Sequence, residues 1–310
     1  MTDTSWGDAA HRGCAAAGDH LSSGSLAGDS VAVGSPGPFF VAGTGRSGTS
    51  QLTRVIGDHP LVRSLVWETR FIVDPGGFED LVPALTERYT PYHADDALAR
   101  LFWLLEQRLA GRTTEVFRGW DLPGDVGEER YWGAIDRLRA QLTWYSFDEL
   151  VPQARPAYGP EPTPGAPGEQ PSKRRTVARY FADRAELVAI LRRFVEDLFG
   201  GAASDAGKAT WCEKTPFNLL SVPFLWELFP EATVVVAVRA PRAVVASHLE
   251  QVWAPSTLDD VLSWLEPVYR RWIAERGGLL GDRRTMEGRA RLRATPVADG
   301  GLRRREVEVR

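Results

Sequence analysis

The chain alternates between short apolar runs and longer segments in which apolar residues recur at helical spacing. Thr233–Val238 is β-branched without polar alternation, which predicts a strand buried on both faces of a parallel sheet. Shorter runs predict further strands at Pro38–Ala42, Ser64–Trp67 and Ala209–Cys212. Apolar residues three and four positions apart predict helices at Asp95–Ala110, Phe181–Phe199 and Leu258–Arg276. The alternation predicts a three-layer α/β fold with a central, mainly parallel sheet flanked by helices.

A glycine-rich turn follows the first predicted strand and leads into a helix. Its residues are Gly43, Thr44, Gly45, Arg46, Ser47, Gly48, Thr49 and Ser50. Backbone N–H groups at a helix start attract anions, and glycines let the backbone approach a phosphate or sulfate closely. Loops that bind nucleoside triphosphates carry lysine directly after the last glycine, whereas Thr49 stands there in this chain and the cation is Arg46. The loop therefore favours a 5′-phosphosulfate over a triphosphate that brings magnesium.

A second candidate anion site follows the strand at Thr233–Val238. Arg239 comes at the carboxyl end of that strand, and Pro241 suits the first position of a helix. Ser247 then falls about two turns into the helix. An arginine and a hydroxyl presented in this way would bind a second, separate phosphate.

These two elements resemble the nucleotide-binding motifs of the sulfotransferases that use 3′-phosphoadenosine 5′-phosphosulfate (PAPS). Trp67-Glu68-Thr69-Arg70 is similar to the Glu-Thr-Arg element of protein-tyrosine sulfotransferases, and Glu213–Leu219 is similar to their Lys-x-Pro-Phe segment. The four motifs occur in the order of the family between Pro38 and Leu249. The resemblance points to protein-tyrosine sulfotransferase-like bacterial enzymes, and it implies a P-loop-type fold.

The resemblance also implies catalytic roles for four side chains. Glu68 would be the base that accepts the proton of the acceptor, and Lys214 would contact the transferring group. Arg46 would offset the charge of the leaving phosphate. Arg70 would orient the carboxylate or contact the acceptor.

The remaining implied roles concern binding. The backbone of the glycine-rich loop would hold the 5′-phosphate of PAPS, and Arg239 with Ser247 would bind its 3′-phosphate. The reaction would need no metal. The Glu-Thr-Arg element favours a tyrosine-like hydroxyl as the acceptor, and a carbohydrate or a small metabolite stays open.

The predicted strands supply an independent reason to group these residues. Arg46, Glu68, Lys214 and Arg239 each come after one of the predicted strands. In an open parallel sheet, ligands bind beyond the carboxyl ends of the strands. We therefore expect the four side chains to converge on one crevice.

Composition narrows the classes of partner. The chain has 310 residues, 43% of them hydrophobic, and a formal net charge of −4, which gives no reason to expect nucleic-acid binding. Cys14 and Cys212 are the two cysteines, and we expect no disulfide between them. The chain shows no run of membrane-spanning length and no charged-then-apolar leader, so we expect a cytoplasmic protein without a membrane anchor.

The sequence predicts three parts of the chain, and the second part contains an insertion. Residues 1–37 lack periodicity and predict a disordered tail, and residues 38–276 predict the sulfotransferase domain. Residues 152–173 are rich in proline and glycine and predict a flexible insertion. Residues 277–310 predict an irregular, arginine-rich segment, which is open to interpretation as a solvated tail or as a truncated domain end.

The segment from Phe71 to Ser172 is expected to form a helical layer that borders the acceptor site. We expect its large aromatic residues to be core packing rather than a ligand box. They are Phe102, Trp103, Trp120, Trp132, Trp144 and Tyr145.

Three functions stay open at this point. The leading one is a PAPS-dependent sulfotransferase. The second is an ATP-dependent P-loop phosphotransferase, which Thr49 disfavours because the expected lysine is missing. The third is a non-catalytic nucleotide-binding remnant, which the abrupt carboxyl end suggests.

Overall fold

Parallel strands form the centre of the fold. The computed structural model describes residues 37–112, 120–150, 172–281 and 293–297. In chain order, the strands of these residues are β1 (Phe39–Gly43), β2 (Val62–Ser64), β3 (Thr143–Leu150), β4 (Ser172–Ala178), β5 (Thr210–Lys214), β6 (Thr233–Arg239) and β7 (Arg293–Val297). Five of them form one sheet in the order β2-β5-β1-β6-β7, and every neighbouring pair in it is parallel. Strands β3 and β4 pair separately as an antiparallel ribbon.

Helices connect the strands. The α-helices of the described residues are α1 (Thr49–Gly57), α2 (Phe78–Leu85), α3 (Pro91–Trp103), α4 (Leu122–Val126), α5 (Glu128–Leu142), α6 (Arg184–Val195), α7 (Gly201–Asp205), α8 (Val222–Leu228), α9 (Pro241–Leu249) and α10 (Leu258–Gly281). Helices α3 and α6 each continue into a π-helical turn, at Leu104–Arg108 and Glu196–Gly200, and a 3-10 turn covers Pro216–Leu220.

Alternation along the strands divides the core into two layers. Phe40 and Trp211 are buried on the face that packs against the larger group of helices, with ring centroids 5.4 Å apart. Val41 and Cys212 point to the other face, where they pack with Leu52 of α1. Because helices cover the sheet on both faces, the prediction of an α/β fold with a central parallel sheet flanked by helices is confirmed.

The strand predictions agree with the structure except at the edge of the sheet. β1, β5 and β6 start or end within two residues of their predicted limits. The strand predicted at Ser64–Trp67 is wrong in position, because β2 covers Val62–Ser64 and the chain leaves the sheet after Leu65, whose N–H donates to the Cys212 carbonyl at 3.0 Å. Among the described strands, β2 is an edge strand that pairs with β5 alone, so few backbone bonds extend it. Glu68 therefore lies in a loop.

The helix predictions hold in type but shift in their limits. The predicted helix Asp95–Ala110 is α3 with its π-helical turn, and it begins earlier because the Thr90 hydroxyl caps it by accepting from the His93 N–H. The predicted helix Phe181–Phe199 begins at Arg184, where Asp183 is the cap. The helix predicted at Leu258–Arg276 runs to Gly281 as α10.

The aromatic prediction is correct for Phe102, which is buried, and for Trp120 and Trp132, which pack partly buried against the core, and it is wrong for the three other residues. Trp103, Trp144 and Tyr145 are 51%, 66% and 59% exposed. Trp144 and Tyr145 lie on β3, which in the part of the chain that the structure describes pairs with β4 and not with the central sheet.

Part of the predicted organisation lies outside the described residues. This applies to residues 1–36, to Cys14, and to residues 152–171 of the predicted insertion. Residues 172 and 173 of that insertion belong to β4. Within 277–310, which we expected to be irregular, residues 293–297 form strand β7 and pair in parallel with β6.

Candidate active site

The glycine-rich loop joins the carboxyl end of β1 to α1. Gly43 allows the loop to fold back on itself, because a Cβ there would collide with the Ser47 hydroxyl and lie 2.8 Å from Thr49 Cγ2. Gly48, at the start of α1, has φ 101°, and Arg46 adopts the left-handed region at φ 50°. A non-glycine residue in that region costs about 1–3 kcal/mol, a strain that is concentrated at functional sites.

Two arginines from distant parts of the chain meet at this loop. Arg46 Nε donates to Ser247 Oγ at 3.1 Å, and an Arg239 guanidinium nitrogen donates to the Arg46 backbone carbonyl at 3.1 Å. Arg239 is the last residue of β6, and Ser247 lies on α9, which begins at Pro241. The two anion sites predicted from the sequence are therefore adjacent.

The loop also holds a buried hydroxyl that has no partner among the described residues. Ser47 is 1% exposed, and its Oγ makes no hydrogen bond. A buried hydroxyl without a partner is unfavourable by about 1–3 kcal/mol. An anion held by the first turn of α1 would give such a hydroxyl an acceptor. The loop thus fits the phosphate or sulfate that its sequence predicts.

A carboxylate and an ammonium group meet beside the same helix. Lys214 Nζ lies 2.9 Å from Glu68 Oε1 and 3.4 Å from Ser50 Oγ on α1. Lys214 is the last residue of β5, and its side chain is on the α1 face of the sheet, as that of Cys212 is. The side chains of Glu68 and Lys214 are 20% and 13% exposed, so the ion pair is largely buried but still in contact with solvent.

Arg70 holds the other oxygen of Glu68. Its Nε donates to Glu68 Oε2 at 3.2 Å, and its guanidinium also pairs with Asp74 at 3.0 Å. Burial raises the pKa of the Asp74 carboxyl, although the Arg70 cation acts against this rise. Arg70 itself has φ 54°, a second left-handed non-glycine residue in the site. The Glu68 carboxylate is therefore held between two cations in a strained turn.

Aromatic residues line the Glu68 loop. The rings of Trp67 and Trp120 stack with centroids 6.0 Å apart, and the Arg70 guanidinium lies 5.6 Å from the Trp120 centroid. Such a cation–π contact stabilises the charged guanidinium of Arg70.

Two residues near the loop had no role in the sequence predictions. His248 is buried against Gly45, and its ring contacts Trp253 and Trp264 edge-on. Burial lowers the pKa of His248, and the positive charge of Arg46 lowers it further. Tyr269 of α10 forms a hydroxyl–hydroxyl hydrogen bond of 3.2 Å with Thr44.

A third overlooked residue is Glu213, whose carboxyl is fully buried beneath the Glu68 loop. Its oxygens accept hydrogen bonds from Thr69, Thr215 and Asn218. Burial raises its pKa. A signal for it exists in the sequence, because a charged residue directly follows the apolar pair Trp211 and Cys212 within a strand.

The structure brings all the predicted site residues together beyond the carboxyl ends of the strands. They form two neighbouring groups, an arginine–serine group at the loop and a glutamate–lysine group at the end of β5. The loop from Gly43 to Ser50 links the two groups. Glu68 reaches the site from a loop four residues beyond β2 rather than directly from a strand end. The roles of these residues stay predictions.

Two negative observations apply to the part of the chain that the structure describes. No group of three histidine, cysteine, aspartate or glutamate side chains is arranged there to hold a metal ion. None of the helices in that part combines the length and the apolar character that crossing a membrane requires.

Comparison with known proteins assigns the chain to a family. Residues 38–287 match the model of a family described as the sulfotransferase family. No curated protein matches the chain. The matched residues make up most of the 310-residue chain and include both groups of the site, so this protein belongs to the sulfotransferase family.

Proposed function

We propose that this protein transfers a sulfuryl group from PAPS to an acceptor hydroxyl, with Glu68 as the base. The observation that carries the proposal is the Lys214–Glu68 ion pair of 2.9 Å, in which Lys214 also lies 3.4 Å from Ser50 of the anion-binding helix. A base, a cation and an anion site beside one another are the groups that such a transfer requires.

The donor would be held at its two ends. The first turn of α1, together with Arg46, would bind the 5′-phosphosulfate, and the unpartnered Ser47 hydroxyl supports an anion there. Arg239 and Ser247 would bind the 3′-phosphate, the group that distinguishes PAPS from ATP. Their contacts to Arg46 support one continuous site for both ends of the nucleotide.

The chemical step would be an in-line displacement at sulfur. The acceptor oxygen forms the new S–O bond while Glu68 takes its proton. The S–O bond to the 5′-phosphate breaks, and the electron pair remains on the leaving 3′-phosphoadenosine 5′-phosphate. Lys214 and Arg46 would stabilise the negative charge that develops on the transferring and leaving oxygens. By analogy with phosphoryl transfer, positioning and electrostatics would supply most of the rate increase.

Transfer of a label tests the proposal directly. Purified protein is incubated with sulfur-35-labelled PAPS and a cell extract that supplies acceptors, and Glu68→Gln is the paired variant. We expect label on an extract component with the wild-type protein, and transfer that is lower by about 10²–10⁴-fold with Glu68→Gln. Equal transfer by both proteins would remove Glu68 from its role.

The two other functions give different results with unlabelled nucleotides. A phosphotransferase would bind ATP only with magnesium, and EDTA would abolish its turnover. A nucleotide-binding remnant would be stabilised by 3′-phosphoadenosine 5′-phosphate in a thermal-shift measurement and would label no component of the extract. The proposed sulfotransferase would be stabilised by that nucleotide and would transfer label in the presence of EDTA.

A further inference from the structure

Glu213 is a carboxyl group buried in the core with neutral donors around it. Its Oε1 accepts from the Thr69 hydroxyl at 2.9 Å, the Thr69 N–H at 3.3 Å and the Thr215 hydroxyl at 2.5 Å. Its Oε2 accepts from Asn218 Nδ2 at 2.6 Å. The residue is 0% exposed, and both threonines are 1% exposed. The network is therefore shielded from solvent.

The hydrogen-bond partners of Glu213 are next in sequence to the proposed base, Glu68, and to the proposed cation, Lys214. Thr69 stands between Glu68 and Arg70, and Thr215 directly follows Lys214. The two segments come from different parts of the chain, since Thr69 and Glu213 are 144 positions apart. One carboxyl group thus joins the loop that carries the proposed base to the strand end that carries the proposed cation.

The network also supports the strained turn. The Arg70 N–H donates to Thr215 Oγ1 at 3.3 Å, while Arg70 holds φ 54°. A non-glycine residue keeps such a conformation only where its surroundings enforce it. The same Thr215 hydroxyl donates to Glu213, so the turn depends on the buried carboxyl through one intervening group.

Stability alone does not account for an acid at this position. The pKa of Glu213 is raised because its burial outweighs the hydrogen bonds that it accepts. Replacing a buried polar group together with its hydrogen-bond partners by apolar groups of the same shape can be nearly neutral for stability. Positioning of the neighbouring site groups gives the carboxyl a reason to be there.

We propose that Glu213 is a positioning residue that fixes the distance and orientation of Glu68 relative to Lys214. The inference rests on the proposed function, because it assumes that Glu68 and Lys214 take part in sulfuryl transfer. Glu213 itself is buried away from any substrate and acts through Thr69 and Thr215. Among the described residues, no hydrogen bond joins Glu213 to the loop from Gly43 to Ser50. Donor binding should therefore depend little on Glu213.

The test separates turnover from donor binding in three variants. Glu213→Ala removes the acceptor oxygens, Glu213→Gln keeps one of them, and Thr215→Val removes the hydroxyl that connects the carboxyl to Arg70. We expect kcat for label transfer to fall about 10- to 100-fold in Glu213→Ala and in Thr215→Val, since a displacement of about 1 Å has effects of this size. We expect Glu213→Gln to recover most of the activity. The Kd for 3′-phosphoadenosine 5′-phosphate should change less than about threefold in all three.

Trp211→Phe is the matched control. Trp211 is buried two positions earlier on the same face of β5. Its ring packs against Phe40, Phe199 and Phe229, which lie outside the network. This variant should lower the melting temperature while kcat per folded molecule stays at the wild-type value. A kcat loss in Trp211→Phe equal to that in Glu213→Ala would make the effect a general consequence of destabilisation and would overturn the proposal.

The outcomes distinguish the two proposals. Label transfer by the wild-type protein and its loss in Glu68→Gln are measured first in the same assay. If both are found and folded Glu213→Ala keeps wild-type kcat, only the positioning role is overturned. If the wild-type protein transfers no label, the proposed function and the positioning role fall together. Failure of Glu213→Ala, Glu213→Gln and Thr215→Val alike to fold would mean a structural role and would also overturn the positioning proposal.

Discussion

Arg239 donates a hydrogen bond of 3.1 Å to the backbone carbonyl of Arg46, although the two residues are 193 positions apart. The contact brings a strand-end guanidinium to a loop that already carries a cation. Two like charges in one place repel each other, and an anion bound between them relieves the repulsion. The contact therefore favours binding of an anion between the two arginines.

The first prediction concerns binding by these arginines. Arg239→Ala should weaken binding of 3′-phosphoadenosine 5′-phosphate about 10- to 100-fold, because a hydrogen bond to a charged group contributes about 1.5–3 kcal/mol. Binding of 5′-AMP, which lacks the 3′-phosphate, should change much less. Isothermal titration calorimetry at fixed salt measures both affinities. Arg193→Ala is the control, since Arg193 is exposed on α6, outside the proposed binding motifs, and its replacement removes the same charge. Equal losses in both variants would show a general charge effect and contradict a specific role.

The convergence of the site was predictable because it depends on strand order. Arg239 and Lys214 end strands on either side of β1, and the rule for parallel sheets brings such ends together. The direct contacts between the groups were not predictable. The bond from Arg46 to Ser247 depends on the left-handed backbone of Arg46, which no local pattern indicates.

The sheet shows the same division between its centre and its edges. β6 lies between two neighbouring strands, and its β-branched run predicted the limits of the strand to within one residue. β7 lies at the edge and contains Arg293 and Pro296, which give no strand pattern; proline is tolerated in edge strands because it lacks a donor. The role of Glu213 was missed for a related reason. Glu213 accepts hydrogen bonds from Thr69, and only the fold brings Thr69 near it.

The second prediction tests the tight turn of the loop. Gly43→Ala would introduce a Cβ that collides with the Ser47 hydroxyl and lies 3.0 Å from the Ala237 carbonyl oxygen. The loop must then shift, so the affinity for 3′-phosphoadenosine 5′-phosphate should fall at least about tenfold, in line with the loss of one charged hydrogen bond. The melting temperature should fall as well.

Gly207→Ala is the control for the effect of Gly43→Ala on stability. Gly207 has φ 66°, and a Cβ there meets nothing within 4 Å, so the variant should be strained without disturbing the loop. Both variants should be less stable, while only Gly43→Ala should lose affinity. Unchanged affinity in Gly43→Ala would mean that the loop does not bind the nucleotide.

The third prediction concerns the cation paired with Glu68. Lys214→Met should lower kcat for sulfuryl transfer about 10²–10³-fold, because removal of one donor to a developing charge typically has this effect. Steady-state rates at saturating labelled PAPS measure it. Lys208→Met is the matched control, since Lys208 precedes the other end of β5 and its ammonium donates to the Pro60 carbonyl at 2.9 Å. Wild-type kcat in Lys214→Met would contradict the proposed role.

The last prediction follows from the buried acid and does not require any activity. Burial raises the pKa of Glu213 above its ordinary value of 4.5, so the folded state holds the proton more tightly than the unfolded state does. The contribution of Glu213 to stability is therefore complete below pH 4.5 and is lost as the pH rises through its folded pKa. Glu213→Gln has no such proton. The free energy of unfolding of the wild-type protein, relative to that of Glu213→Gln, should therefore decrease with rising pH, with a slope of at most about 1.4 kcal/mol per pH unit.

Urea denaturation of both proteins at a series of pH values measures this difference. Glu87→Gln provides a comparison of opposite sign, because a hydrogen bond from Thr86, chiefly, lowers the pKa of the exposed Glu87 carboxyl. Relative to Glu87→Gln, the wild-type protein should lose stability as the pH falls below 4.5. If the wild-type and Glu213→Gln curves instead run parallel from pH 4.5 to about pH 8, then the Glu213 carboxyl does not hold its proton more tightly in the folded state. Its network would then have to stabilise an ionised group, and Glu213→Gln, which keeps one acceptor oxygen but no charge, would no longer be its close substitute.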